Sequence, residues 1–186
     1  MKKFFYTFAF ILCALMTLQA ETMVVATYNL RNANGGDSTN GNGWGQRYPY
    51  IAQIVQFHGF DIFGTQEGKY PQLQDLKQAM PGYDYIGVGR DDGKQAGEHS
   101  AIFYRTDKFE VLEHGDFWLS EITDRPNKGW DAALPRICTW GHFLDLQTKR
   151  RFWFFNLHMD HIGVQAREES AKLVVAKIRE MCKPKE

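Results

Sequence analysis

The stretch RFWFFNLHMDH, residues 151–161, poses the structural problem of this chain. Phe152 and Phe154 alternate with Trp153, Phe155 and Leu157, so an extended segment here carries large apolar side chains on both faces. Strands of that kind are covered on both faces. The segment also carries Asn156 and runs straight into His158, Asp160 and His161, side chains that bind metals and anions or move protons. It reads as a buried strand whose end opens into a site.

Working outward, RICTWGHFLDL (136–146), the turn QTKR and RFWFFNL (151–157) form a hairpin. Near the start, MVVATYNL (23–30) alternates, with Val24, Ala26, Tyr28 and Leu30 on one face, and reads as a strand. RYPYIAQIVQFH (47–58) places Ile51, Ile54 and Val55 at helical spacing, and DIFGTQE (61–67) is a second strand. A strand–helix–strand unit with a right-handed crossover ends both strands at the same sheet edge. That brings Asn29 and Glu67 to neighbouring strand ends, where ligands bind in open α/β sheets. YPQLQDLKQAM (70–80) is a helix with Pro71 in its first turn, and YDYIGVG (83–89) and SAIFYR (100–105) are short strands. A last helix, about 164–182, lines Ala166, Ser170, Leu173, Val174, Ile178 and Met181 along one stripe. The class is α/β with a mixed sheet. These three helices can cover one face of the apolar strand; nothing in the sequence covers the other. The Gly- and Asn-rich stretch NANGGDSTNGNGWG (32–45) reads as a mobile loop, either a plain surface connection or a substrate-facing lid flanked by Trp44 and Arg47.

Residues 1–20, MKKFFYTFAFILCALMTLQA, have the charge and length pattern of a signal peptide, which implies export to the periplasm or beyond. The apolar run is short for a membrane span, which takes about 20 residues, and no stable membrane association is expected after its removal. Without Lys2 and Lys3, 20 basic residues face 22 acidic ones, a net charge of about −2. That excludes the basic footprint of nonspecific nucleic-acid binding. Cys138 and Cys182 remain, and the sequence favours two buried or free thiols over a bridge.

Taken singly, the chemical residues have ordinary readings. Glu67 suits a solvated strand end, Asn29 a strand terminator, His158 a hydrogen-bonded core histidine and Arg136 a salt-bridged arginine. Together they all sit at strand ends, where one cleft can gather them. Two motif readings compete for them. NLHMDHIG is one residue short of the H-x-H-x-D-H-x-G metal motif of metallo-β-lactamase-like hydrolases, with Asn156 in the first histidine position. That family draws further ligands from far downstream, and no histidine follows His161.

The second reading uses the whole chain. ATYNLR, DIFGTQE, EHSAIFYR, LPRICTW and FFNLHMDH, in that order, resemble the endonuclease/exonuclease/phosphatase superfamily with its deoxyribonuclease I-like fold. The likeness is greatest to secreted bacterial members and covers essentially all of 23–182. It implies a metal-dependent phosphoesterase that cleaves phosphodiester or phosphomonoester bonds. Glu67, with Asn29 beside it, would bind Mg²⁺ or Mn²⁺; His158 and Arg136 would hold and neutralise the phosphate. Arg90, Asp91, Glu98 and His99 fall in a stretch that borders the cleft in such proteins, and Asp160 and His161 would stand behind it. The substrate is a phosphate ester, with nucleic acids, nucleotides, lipid head groups and sugar phosphates all open.

One departure stands out. The family continues with a strand ending in Gly-Asp-x-Asn, which positions the attacking water, and finishes with an Asp-His pair. This sequence contains no Gly-Asp-x-Asn. The expectation is an incomplete domain over 21–186, the N-terminal portion of a four-layered α/β/β/α sandwich with mixed sheets. Such a chain would be impaired in catalysis and would self-associate through an exposed apolar sheet face. The alternative is a non-catalytic secreted remnant or binding module.

Overall fold

In the computed structural model, which describes residues 22–183, β1 (Val25–Asn29) and β2 (Ile62–Gln66) pair in parallel with Asn29 opposite Gln66. The expected signal peptide, residues 1–20, lies outside the described residues. Two helices fill the connection between the strands. A five-residue α1 (Gly35–Thr39) is capped by the Asn34 side chain, which accepts the Asp37 backbone N–H. The Asp37 carboxylate in turn takes the guanidinium of Arg31 at 2.6 Å. The Gly- and Asn-rich stretch is therefore not a structureless connection: its Asn and Asp side chains satisfy the backbone locally. The longer helix, α2 (Trp44–His58), begins three residues before the expected 47 and ends at Gly59, whose φ of 62° suits a residue without a Cβ.

After β2 the chain makes a two-residue strand, β3 (Gly68–Lys69), and α3 (Tyr70–Ala79). β4 (Tyr83–Ile86), β5 (Glu98–His99) and β6 (Ile102–Arg105) follow. The first sheet has the order β1-β2-β6-β4 and is mixed, since β6 runs antiparallel to both β2 and β4. β7 (Phe109–Trp118), β8 (Ile137–Asp145) and β9 (Arg151–Leu157) form a second, antiparallel sheet. The last helix is α4 (Val164–Met181).

Period-two alternation builds the core. On β2 and β6, Phe63 and Phe103 turn toward α2 and α3, where they meet Ile51, Val55, Leu73 and Leu76. Their neighbours Ile62 and Ile102 turn the other way and pack with Ile86, Phe109, Phe143, Phe152 and Phe154, so the two sheets lie face to face. On the far face of the second sheet, Phe155 and Leu157 pack with Phe117, Val174 and Ile178, under α4. The bare sheet face expected from the sequence is therefore not there. Phe152 and Phe154 are covered by the first sheet, Phe155 and Leu157 by α4, and Trp153 stacks on His142 at 4.3 Å. What stays open is strand edges: β1 and β9 each end their sheet.

Both cysteines among the described residues are free thiols, Cys138 buried and Cys182 half-buried. No helix among the described residues is long and apolar enough to cross a membrane.

Candidate active site

The site forms where β2 ends. Glu67 leaves the strand in the left-handed region, φ 63°, a conformation that costs a residue with a Cβ roughly 1–2 kcal/mol. Such strain persists where surrounding bonds enforce it. Here Oε1 of Glu67 accepts the Asn29 amide at 2.9 Å and Oε2 accepts the Asn32 backbone N–H at 3.2 Å. Burial, the largest single influence on this carboxyl, acts to raise its pKa. The two donors and the nearby His158 and Arg31 outweigh it, so Glu67 titrates below the usual glutamate value and is ionised.

Asn32 also ties in the next element. Its side-chain amide donates to Glu98 Oε1 at 2.9 Å, and Arg90 donates to Glu98 Oε2 at 2.7 Å. The short β3–β5 ladder, with Gly68 opposite His99 and Lys69 opposite Glu98, carries that glutamate beside Glu67. Nε of Arg90 and Nδ1 of His99 are buried without a hydrogen-bond partner among the described residues. Burial pushes the His99 imidazole below its ordinary pKa.

The second sheet supplies the opposite wall. Arg136 immediately precedes β8, and His158 immediately follows β9. The Arg136 guanidinium is buried; its Nε donates to Asp160 at 3.1 Å. Nη1 lies 3.4 Å from His158 Nδ1, and Nη2 lies 3.0 Å from His161 Nδ1. Burial, then the adjacent Arg136 charge, holds the His158 pKa below the ordinary histidine value. One pocket is lined by Glu67, Arg90, Glu98, His99, Arg136 and His158, with Ser100 and Ile137 completing it.

Of the expected site residues, the structure thus gathers Glu67, Arg90, His99, Arg136 and His158 around that pocket, with Asn29 on Glu67. Asp160 and His161 stand behind Arg136. Asp91 is not gathered: it is exposed, 3.8 Å from Arg90 Nε, and does not line the pocket. The metallo-β-lactamase-like reading fails on Asn156. That side chain is buried between the sheets, donating to the carbonyls of Thr65 and Ala101, and cannot join His158 and His161 around a metal. The Asn32 contribution was not foreseen, and its only sequence signal is its place two residues beyond Leu30 at the end of the first strand.

No three His, Cys, Asp or Glu side chains cluster into a complete metal cage among the described residues. The donor set at Glu67 is hard oxygen with open coordination, as Mg²⁺ sites are that use one or two carboxylates, water and substrate phosphate. It fits Mg²⁺ or Mn²⁺ and does not fit a closed zinc site.

Similarity to known proteins agrees with this arrangement. No family model matches the chain. A solved mannosyl-6-phosphatase of Bacteroides thetaiotaomicron is 68% identical, with a TM-score of 0.87 over 88% of this chain and 61% of its own. A solved endonuclease/exonuclease/phosphatase protein of Bacteroides vulgatus is 46% identical, with a TM-score of 0.84 over 87% of this chain and 62% of its own. This chain belongs to the endonuclease/exonuclease/phosphatase superfamily. It spans about three fifths of the length of those two superfamily proteins. An uncharacterized protein of Acanthamoeba polyphaga mimivirus is 28% identical over 146 residues, which are 75% of this chain and 54% of its own.

Beneath the site, Asp160 ties the second sheet to α4. Its carboxylate accepts the backbone N–H groups of Ile162 at 2.9 Å, Gly163 at 2.8 Å and Leu134 at 3.3 Å, besides Arg136. Burial acts to raise its pKa, but these donors hold it well below the usual aspartate value. A depressed folded-state pKa contributes stability that is complete above the unfolded value, 3.8, and is lost as pH falls below it. The urea midpoint should therefore drop more steeply on acidification in the wild-type chain than in Asp160→Asn. Equal slopes would remove Asp160 from the acid-labile groups.

Proposed function

We propose that this chain carries the metal- and phosphate-binding side of a metal-dependent phosphoesterase that cleaves phosphate monoesters of sugars. One observation carries the reaction class: an ionised carboxylate on one sheet faces a guanidinium and an imidazole on the other across a single pocket. The sugar-phosphate assignment draws on the 68% identity to the mannosyl-6-phosphatase. The near-neutral charge supports a small monoester over a long nucleic acid.

Glu67 and Asn29 would hold the Mg²⁺, which when bound supplies positive charge and polarises a phosphoryl oxygen. Asn29 and Asn32 orient the Glu67 carboxylate and keep it ionised. Arg136 still has N–H donors beyond its three partners, and these neutralise charge on the transferred group. His158, neutral at pH 7 because burial and Arg136 disfavour its cation, donates a hydrogen bond to the same group. Attack by water needs a general base, and we place it in the part of the longer relatives that this chain does not span.

The test is phosphate release from mannose 6-phosphate with Mg²⁺, run on the 186-residue chain. A parallel arm uses this chain fused to the part of the mannosyl-6-phosphatase that it does not cover. The fusion should release phosphate, the chain alone should be far slower, and EDTA should stop both. A fusion that cleaved bis(p-nitrophenyl) phosphate but not the sugar ester would overturn the monoester assignment. An inactive fusion would favour the non-catalytic binding module.

A further inference from the structure

We propose that Asp160 is a positioning residue. Acting through Arg136, it fixes which ring nitrogen of His158 carries the proton, leaving Nε2–H as the donor offered to the pocket. Only the last step, that the donor meets a phosphate, rests on the phosphoesterase reading above.

The chemistry of the guanidinium decides the tautomer. Arginine has five N–H donors and accepts nothing. A nitrogen that faces it at hydrogen-bonding range must therefore present a lone pair. His158 Nδ1 faces Nη1 at 3.4 Å, and His161 Nδ1 faces Nη2 at 3.0 Å. In a neutral imidazole with Nδ1 as acceptor, the proton resides on Nε2. An Nδ1–H tautomer would set two donors against each other.

Asp160 fixes the guanidinium plane from the third side. Nε donates to its Oδ2 at 3.1 Å, with the Arg136 side chain 4% exposed and that of Asp160 fully buried. The Asp160 carboxylate is itself immobilised by the three backbone donors at Leu134, Ile162 and Gly163. Its backbone carbonyl accepts Arg167 Nη1 at 3.0 Å. Arg136 therefore cannot rotate about its Nε bond without abandoning a buried carboxylate, so both Nη groups stay aimed at the two imidazoles. Asparagine at 160 has nearly the same shape and one acceptor oxygen, but no charge to hold the guanidinium.

The experiment reads the rings directly. In the ¹⁵N-histidine-labelled chain, two-bond ¹H–¹⁵N correlations at a pH where the ring is neutral should show His158 Nδ1 unprotonated and Nε2 protonated, with the signals assigned by His158→Gln. In Asp160→Asn, and independently in Arg136→Lys, whose single ammonium cannot meet both rings, the His158 pattern should move to a mixture of tautomers. In the active fusion, Asp160→Asn should lower kcat about 10- to 100-fold, the range for residues that orient a ligand from behind, with a smaller change in KM. A wild-type His158 protonated on Nδ1 would overturn the proposal, and so would a folded Asp160→Asn that keeps the wild-type pattern. Should Asp160→Asn fail to fold, the wild-type spectrum and Arg136→Lys still decide. The spectra need no substrate, so the expected tautomer together with a fusion that lacks phosphatase activity would sink the phosphoesterase reading and leave this one standing.

Discussion

Glu67→Gln should give a folded protein that releases phosphate more slowly by up to roughly a thousandfold, the upper range for removing one charge-stabilising group from an active site. The replacement matches the shape of glutamate and keeps the left-handed backbone at residue 67. It also keeps the oxygen that accepts the Asn29 amide. What disappears is the negative charge, and with it the charge at the β2 end that would hold a hard divalent cation. The new amide nitrogen also faces the Asn32 N–H, a donor against a donor. That loss should reach stability only as about 1 kcal/mol, the usual worth of one hydrogen bond. The large fall in rate should therefore come with a nearly unchanged melting temperature and a weakened response to added Mg²⁺. Initial rates of the fusion across a Mg²⁺ titration provide the check. Wild-type rates in Glu67→Gln would remove this carboxylate from the metal site.

The parts of this arrangement that the sequence disclosed are those set by local periodicity. Alternation in 23–30 and the apolar run in 61–67, with helical spacing between them, were enough to place Asn29 beside Glu67. The 136–157 hairpin likewise placed Arg136 and His158 at adjacent strand ends. Elements held together by pairing alone were not visible. β7 breaks its own alternation at the register shift between Val111 and Glu113, so no window of that strand repeats cleanly. β3 and β5 are two residues each and exist only because Gly68–Lys69 meets Glu98–His99. Asn32 acts on Glu67 through its backbone N–H, a group every residue but proline has, so no side-chain motif announces it. Coverage of the apolar strand was misjudged for a related reason. One face of β9 is buried by the first sheet and the other by α4, and sheet-on-sheet packing leaves no mark in any short window.

Gly64→Ala should destabilise the fold strongly, because the space beside Gly64 belongs to Asn156. A Cβ at position 64 would come within 2.4 Å of Asn156 Oδ1 and 2.5 Å of its Cγ. The Asn156 side chain cannot yield. It is 6% exposed, and its amide donates to the carbonyls of Thr65 at 2.7 Å and Ala101 at 2.9 Å while its oxygen accepts Gln66 Nε2 at 2.9 Å. This polar clamp crosses from β9 to β2 and to Ala101, just ahead of β6, joining two sheets that pack against each other mainly through apolar side chains. Displacing the amide combines overpacking, about 1–3 kcal/mol, with unsatisfied buried groups at about 1–3 kcal/mol, so a loss of about 2–6 kcal/mol is expected in urea unfolding. The clamp also has a functional consequence. Gln66 precedes Glu67, and Asn156 lies two residues before His158, so one side chain sets the spacing between the two walls of the pocket. Asn156→Ala should therefore lower the stability and also partly relieve Gly64→Ala, since the atoms that the new methyl strikes are gone. Strictly additive losses in the double variant would show that the two residues do not share this space, and the clamp would have to be abandoned.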